Sequence, residues 1–249
     1  MSLFQAIGSG QPLVGTFIKT PHPAVVEALG GSGLDFIILD AEHAPFGRAE
    51  IDRGLLAARA AALPALVRLE SDSPAQILSV LDMGAAGFLV PHVTSPEQAA
   101  ALVQAAHYGA GGRGYSATNR AGDYGRRSMA QHLEASRQPV VIPQIEDPEA
   151  VERVEEIAAV PGITALFVGP ADLAVAYGVA DLKAAKVVEA VDRVIAVAGA
   201  RGLPVATFAA EMQAAKGLFA RGISLVAVAS EQKPMQDFFS TAAVAAAKP

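Results

Sequence analysis

Short, nearly continuous apolar runs recur along the chain, each followed by an alanine-rich stretch whose polar positions fall at helical spacing. The first run, Leu13 to Lys19, precedes a helix predicted over Pro23 to Leu29 and stopped by Gly30-Gly31. Phe36 to Asp40 is the second; it runs on into Ala41-Glu42-His43 and leads to a helix over Arg48 to Ala62. Pro64 to Leu69 reads as a third strand, after which Ser73-Pro74 supplies an N-cap and a first helical residue that needs no N–H. Gly87 to Pro91 is the fourth, and Ser95-Pro96-Glu97 opens a helix to His107. Pro139 to Glu146 and Phe167-Val168-Gly169 are the fifth and sixth, separated by a helix over Pro148 to Ala159. Leu203 to Phe208 and Ile223 to Ala229 complete the set, with helices over Asp181 to Ala200, Glu211 to Ala220 and Lys233 to Ala247.

Strands that read as unbroken apolar runs are covered on both faces, and their regular alternation with helices predicts an α/β fold, a (β/α)₈ TIM barrel forming a single domain over residues 1–249. No G-x-G-x-x-G follows the first strand, so a dinucleotide-binding sheet has no support. The one long irregular piece is Tyr108 to Ser116 with its continuation to Arg127. It is expected to cover the site from the catalytic side; the competing reading is a surface loop.

Composition narrows the chemistry. With 249 residues, 52% of them hydrophobic, the chain can bury a large core, and a net charge of -6 without a Lys/Arg cluster excludes nucleic acid and an anionic membrane as partners. There is no cysteine, so a metal must be held by oxygen or imidazole, which favours hard cations. The first residues show no basic segment leading into an apolar core, and no apolar stretch is long enough for a membrane span; the expected location is the cytoplasm.

Barrel strands end at the mouth where sites are built. Strand two ends in Asp40-Ala41-Glu42-His43, strand three in Arg68-Leu69-Glu70, strand five in Gln144-Ile145-Glu146, and strand six leads to Gly169-Pro170-Ala171-Asp172. A buried strand has no structural need for Glu146, although a first-turn acid facing the next helix dipole would also explain it. Glu146 and Asp172 suit a divalent ion that keeps several positions for other oxygens, which an α-keto acid fills as a chelate. His43, with Asp40 and Glu42 beside it, is the candidate base; the bland alternative is a packing histidine, and His92 is the reserve. Arg68 and Glu70 share a strand face, so both are expected at the mouth, the guanidinium binding a developing enolate or a carboxylate. Lys19 is the only lysine near a strand end and the only one placed for an imine mechanism.

Taken together, Asp40-Ala41-Glu42-His43, Val67-Arg68, Gly112-Arg113-Gly114, Pro143-Gln144-Ile145-Glu146 and Gly169-Pro170-Ala171-Asp172-Leu173 resemble the metal-dependent class II pyruvate aldolases of the 4-hydroxy-2-oxoheptanedioate and 2-dehydro-3-deoxyglucarate aldolase family, over nearly the whole chain. The resemblance implies reversible cleavage of 4-hydroxy-2-oxo acids to pyruvate, or a related 2-oxo acid, and an aldehyde. It implies Glu146 and Asp172 as ligands of Mg²⁺, Mn²⁺ or Co²⁺, with Gln144, Gly169, Pro170, the Ala171 backbone and Asp172 around pyruvate. His43 is implied as base, Arg68 as stabiliser of the transition state, and Asp82 as an acid raising the basicity of the histidine across a subunit interface; Asp40 competes for that last role. Phe208 and the Gly109 to Ser116 loop are expected to shape the aldehyde pocket. A homo-hexamer of two trimers that exchange their last helix is also implied, and Phe238-Phe239 fits such a helix as well as it fits a plain eighth one. Two other readings compete. A malyl- or citramalyl-type lyase of coenzyme A thioesters needs basic residues for nucleotide phosphates, of which few are clustered here. A non-catalytic keto-acid-binding barrel leaves the full set of base, cation and acids unexplained.

Overall fold

Alternate residues of every strand feed two different cores, and this parity decides which side chains reach the site. The structure, a computed structural model, describes residues 1–246. Its strands are β1 (Leu13–Ile18), β2 (Phe36–Asp40), β3 (Ala65–Arg68), β4 (Gly87–Val90), β5 (Val140–Ile145), β6 (Leu166–Val168), β7 (Val205–Ala209) and β8 (Leu225–Ser230). They close, all parallel and in chain order, into an eight-stranded barrel, as the alternating pattern predicts. Helices α1 (Leu3–Gly8), α2 (Pro23–Leu29), α3 (Arg48–Ala60), α4 (Pro74–Asp82), α5 (Pro96–Ala106) and α6 (Met129–Ala135) belong to the first half. The second half adds α7 (Pro148–Glu152), α8 (Val154–Ala158), α9 (Pro170–Ala176), α10 (Ala185–Ala200), α11 (Met212–Ala220) and α12 (Gln232–Ala246). Among the described residues no helix is long and apolar enough to cross a membrane.

Phe17, Ile38, Leu66, Leu89, Ile142 and Phe167 point inward and fill the barrel, while Ile37, Leu39, Val67, Val90, Val141 and Ile145 point outward to the helices. Continuing the inward series to the strand ends brings Asp40, Arg68 and Gln144 to the mouth. The opposite end is closed by α1, whose Leu3 and Ile7 join the inner core, each such burial contributing about 1.5–3 kcal/mol. Ser2 and Gln5 cap this helix reciprocally.

Three expectations need correction. The helix over Pro148 to Ala159 is two short helices, because Arg153 leaves the helical region between them. The helix expected from Asp181 begins at Ala185; Asp181 instead accepts from the Lys183 N–H at 2.9 Å in the preceding turn. The glycine-rich excursion is not on the catalytic side of its own barrel. It connects the end of α5 to the start of β5, so it lies where strands begin, and Arg120 ties it to the Met83 carbonyl at 2.8 Å and to the Asp52 carboxylate at 2.8 Å. At the C-terminus α12 carries Phe238 and Phe239 at 69% and 64% exposure; Ala247, expected to end it, lies outside the described residues together with Lys248.

Candidate active site

The mouth is organised by a pair made in the sheet itself. Asp40 and Arg68 are register partners at the ends of β2 and β3, both inward and both buried. Arg68 donates from Nε to Asp40 Oδ1 at 2.9 Å and from Nη2 to Oδ2 at 2.7 Å, the two-point fork that a planar guanidinium makes with a carboxylate. Its other face lies 4.6 Å from the Phe17 ring centroid. Burial opposes ionisation of Asp40, but the Arg68 hydrogen bonds and charge, the His43 N–H and Lys19 outweigh it and hold the carboxyl below the usual range.

Asp40 Oδ1 also accepts the His43 N–H at 3.1 Å, which fixes the turn that presents Glu42 and His43. The His43 ring is exposed, with Nε2 3.6 Å from Glu42 Oε2. Glu42 Oε2 lies 3.3 Å from Arg68 Nε and is a buried acceptor without a hydrogen bond. Glu70 does not join the mouth. β3 stops at Arg68, the chain turns after Leu69, and Glu70 accepts from Gln76 Nε2 at 3.0 Å on the surface.

Opposite this pair stands Glu146, 2% exposed. One oxygen accepts the His92 N–H at 2.9 Å, and the other accepts from Gln144 Nε2. Burial foremost pushes its carboxyl up to about 7; the His92 hydrogen bond opposes the rise and the Asp172 charge adds to it. His92 reaches this position with φ of 53°, a left-handed conformation that costs a residue other than glycine about 1–3 kcal/mol and clusters at functional sites. Its Nδ1 lies 3.0 Å from Asp147 Oδ2, and that hydrogen bond, against the effect of burial, raises the imidazole pKa.

Gly169 makes room between the two acids. A Cβ there would stand 3.0 Å from Glu146 Cβ, 3.1 Å from Glu146 Oε2 and 3.4 Å from Asp172 Oδ2, so both carboxylates border one point. Pro170 opens α9, and Ala171 and Asp172 lie in its first turn, where backbone N–H groups have no helical acceptor. Phe208 stands exposed over the mouth with its ring 6.2 Å from Phe17. Asp82 is elsewhere: it ends α4 at the face where strands begin and pairs with Arg113. Within one chain it does not meet His43.

The ligand atoms of Glu42, His92 and Glu146 all lie within 4.8 Å of one another. This oxygen-rich, thiol-free set fits a hard divalent cation. The buried, unpartnered Gln144 Oε1 and Glu42 Oε2 and the strained ionisation of Glu146 are what such an ion would relieve. Glu42 and His92 were not expected as members of this group, although period two from Asp40 places Glu42 on the inward face. A cavity of about 260 Å³, lined mainly by apolar side chains such as Phe46, Ile51, Leu69, Val80 and Met83, lies outside the barrel between α3 and α4.

A family model described as HpcH/HpaI aldolase/citrate lyase matches residues 13–237. Over 148 residues the chain is 32% identical to the 5-keto-4-deoxy-D-glucarate aldolase of Escherichia coli, an alignment covering 59% of this chain and 57% of the length of that relative. The solved structure of an HpcH/HpaI aldolase/citrate lyase family protein from Burkholderia cenocepacia J2315 is similar with a TM-score of 0.93 and 32% identity, covering 99% of each chain. An HpcH/HpaI aldolase from Desulfitobacterium hafniense DCB-2 gives 0.93 and 27%, covering 100% of this chain and 98% of the other. With strand ends, acids and guanidinium gathered at one mouth and a match running from β1 into α12, the chain belongs to the HpcH/HpaI aldolase/citrate lyase family.

Proposed function

We propose that this protein catalyses reversible aldol cleavage of a 4-hydroxy-2-oxo acid to pyruvate, or a related 2-oxo acid, and an aldehyde. The observation that carries the reading is the convergence of Glu146 and Asp172 on the space over Gly169, with the Arg68 fork joined to it through Glu42. A divalent cation, Mg²⁺, Mn²⁺ or Co²⁺, held by Glu146 and Asp172 beside Glu42 and His92, would supply Lewis-acid polarisation of the 2-oxo group.

The protein's own groups do the rest. The first turn of α9, with the Ala171 N–H, and the Gln144 amide receive the carboxylate end of the substrate. His43, directly or through a water, takes the C4 hydroxyl proton. The C3–C4 bond then breaks to give the aldehyde, and its electron pair passes to the three-carbon fragment as an enolate. Arg68, held in place by its fork with Asp40, faces that negative charge; protonation at C3 gives pyruvate. Phe17 and Phe208 form an apolar wall on the aldehyde side.

Pyruvate release from a 4-hydroxy-2-oxo acid, coupled to lactate dehydrogenase, tests this reading; release from malyl- or citramalyl-coenzyme A alone would replace it with the thioester lyase. His43→Ala is expected to slow cleavage by about 10²–10⁴-fold while leaving exchange of pyruvate methyl protons with D₂O in place. Cleavage by His43→Ala at the wild-type rate would move the base role to His92.

The same reading takes the protein as a hexamer of two trimers with α12 exchanged between copies, supported by the uncovered Met235, Phe238 and Phe239. Each phenylalanine buried there contributes about 1.5–3 kcal/mol. Phe238→Asp with Phe239→Asp is therefore expected to shift the wild-type assembly to smaller species in light scattering. A wild-type monomer at micromolar concentration would contradict the assembly.

A further inference from the structure

His92 holds a conformation that its residue type resists, and its contacts supply the reason. β4 ends at Val90, Pro91 follows, and His92 then turns left-handed with φ of 53°. In an extended chain successive N–H groups point to opposite edges of the strand; here the turn aims two in a row at β5. The His92 N–H donates to Glu146 Oε1 at 2.9 Å, and the Val93 N–H to the Gln144 carbonyl at 3.4 Å. Consecutive main-chain N–H groups turned to one side are a means by which a chain cradles an anion. The anion cradled here is the buried carboxylate of Glu146.

The imidazole is engaged with the next acid along. Its Nδ1 lies 3.5 Å from Glu146 Oε1 but 3.0 Å from Asp147 Oδ2. Asp147 stands at the N-cap of α7, yet its carboxylate is turned to the imidazole rather than to the N–H groups of that helix. An ionised carboxylate only accepts, so Nδ1 carries the proton of this bond and has no lone pair to offer a cation. His92 thus grips two adjacent acids in different ways, Glu146 by its main chain and Asp147 by its ring. The grip on Oε1 decides how the Glu146 carboxylate faces the site: Oε2, which the Gln144 amide also meets, is left toward Asp172. A Cβ built on Gly169 would lie 3.1 Å from that Oε2 and 3.4 Å from Asp172 Oδ2.

We propose that His92 is a positioning residue that serves the cation site through its main chain: the left-handed turn holds Glu146 Oε1 and presents Oε2 beside Asp172, while the imidazole fastens the turn to Asp147 and ligates nothing. The inference rests on the reading that Glu146 holds the cation. The test is calorimetric titration with Mn²⁺ of wild type, His92→Gly, His92→Asn and His92→Val, beside thermal unfolding of each in EDTA. Glycine and asparagine enter the left-handed region readily and a β-branched valine does not. His92→Gly and His92→Asn are therefore expected to bind Mn²⁺ within about threefold of wild type, and His92→Val about 10–100-fold more weakly, the worth of one hydrogen bond to a charged group. His92→Gly loses the contact with Asp147 and should melt below wild type in EDTA while keeping its Mn²⁺ affinity, a split that loss of structure alone would not give. Should His92→Val not fold, His92→Ala, with milder strain, carries the comparison. Equal weakening in the glycine, asparagine and valine variants would make the imidazole a ligand, and undiminished binding in His92→Val would show that the turn positions nothing; either overturns the inference and leaves Glu146 its role. Undiminished Mn²⁺ binding by Glu146→Gln, titrated alongside, overturns both.

Discussion

Arg68→Ala is expected to remove catalysis and to destabilise the fold by about 3–5 kcal/mol, since it leaves the buried Asp40 carboxylate without its fork. Asp40 is fully buried, and Lys19 at 3.5 Å is too distant to replace two hydrogen bonds at 2.9 Å and 2.7 Å. Arg68→Lys keeps a charge but not the planar two-point geometry, so it falls between. The effect has a sign on the pH axis. The Asp40 carboxyl is held below 3.8 in the folded protein, so its contribution is present above that unfolded value and is lost as pH falls through the lower folded one. Arg68→Ala should flatten this acid limb. Pairing Arg68→Met with Asp40→Asn removes both charges and should recover much of the stability without recovering activity, which separates the two roles. Urea unfolding at neutral and acid pH, beside kcat/KM, reads both. A wild-type denaturation midpoint for Arg68→Ala would show that the fork holds nothing.

Glu146→Gln works in the opposite direction on stability. It should lower cleavage on the order of 10³-fold or more, because the residue proposed to hold the cation loses its charge, and it should stabilise the metal-free protein. The cause is the burial that pushes the Glu146 carboxyl up to about 7 from 4.5. A raised folded value means that the stability contribution is present below 4.5 and is lost as pH rises through about 7. The wild type in EDTA should therefore weaken over that window, while the variant should not. At pH 8 its Tm should exceed that of metal-free wild type by on the order of 5 °C. The glutamine is accommodated because Gln144 can turn its amide over and offer the now unfilled Oε1 as acceptor. Added Mn²⁺ should raise the Tm of the wild type and not of the variant; an equal rise in both would place the ion elsewhere.

The barrel was legible because parallel strands covered on both faces leave unbroken apolar runs, and because Ser73-Pro74 and Ser95-Pro96 mark where helices start. α1 and α6 escaped notice, although Ser2 with Gln5 and Ser128 with Gln131 form reciprocal caps readable in the sequence. Both helices are short, and short apolar patterns carry little weight. Counting barrel units puts the excursion after the fourth unit on the catalytic side; its position after helix α5 and before strand β5 places it at the other end. At the site, Asp40, Arg68, Gln144 and Glu146 were legible as strand ends. That Arg68 pairs with Asp40 depends on register across β2 and β3, which no local pattern encodes. The entry of Glu42 and His92 depends on two turns, one fixed by Asp40 and one by the left-handed His92. Asp82, bound to Arg113 away from His43, is placed for the histidine only if another copy of the chain supplies it.

Exchange of pyruvate methyl protons with D₂O, followed by ¹H NMR, isolates enolate formation from the aldehyde half of the reaction and is the most direct measurement. Wild type loaded with Mg²⁺ or Mn²⁺ should exchange the methyl group, lose the exchange in EDTA and regain it on adding the metal back. His43→Ala should retain it, and Arg68→Ala and Glu146→Gln should not. Undiminished exchange in the chelated wild type or in Glu146→Gln would contradict a pyruvate enolate formed between Glu146, Asp172 and Arg68.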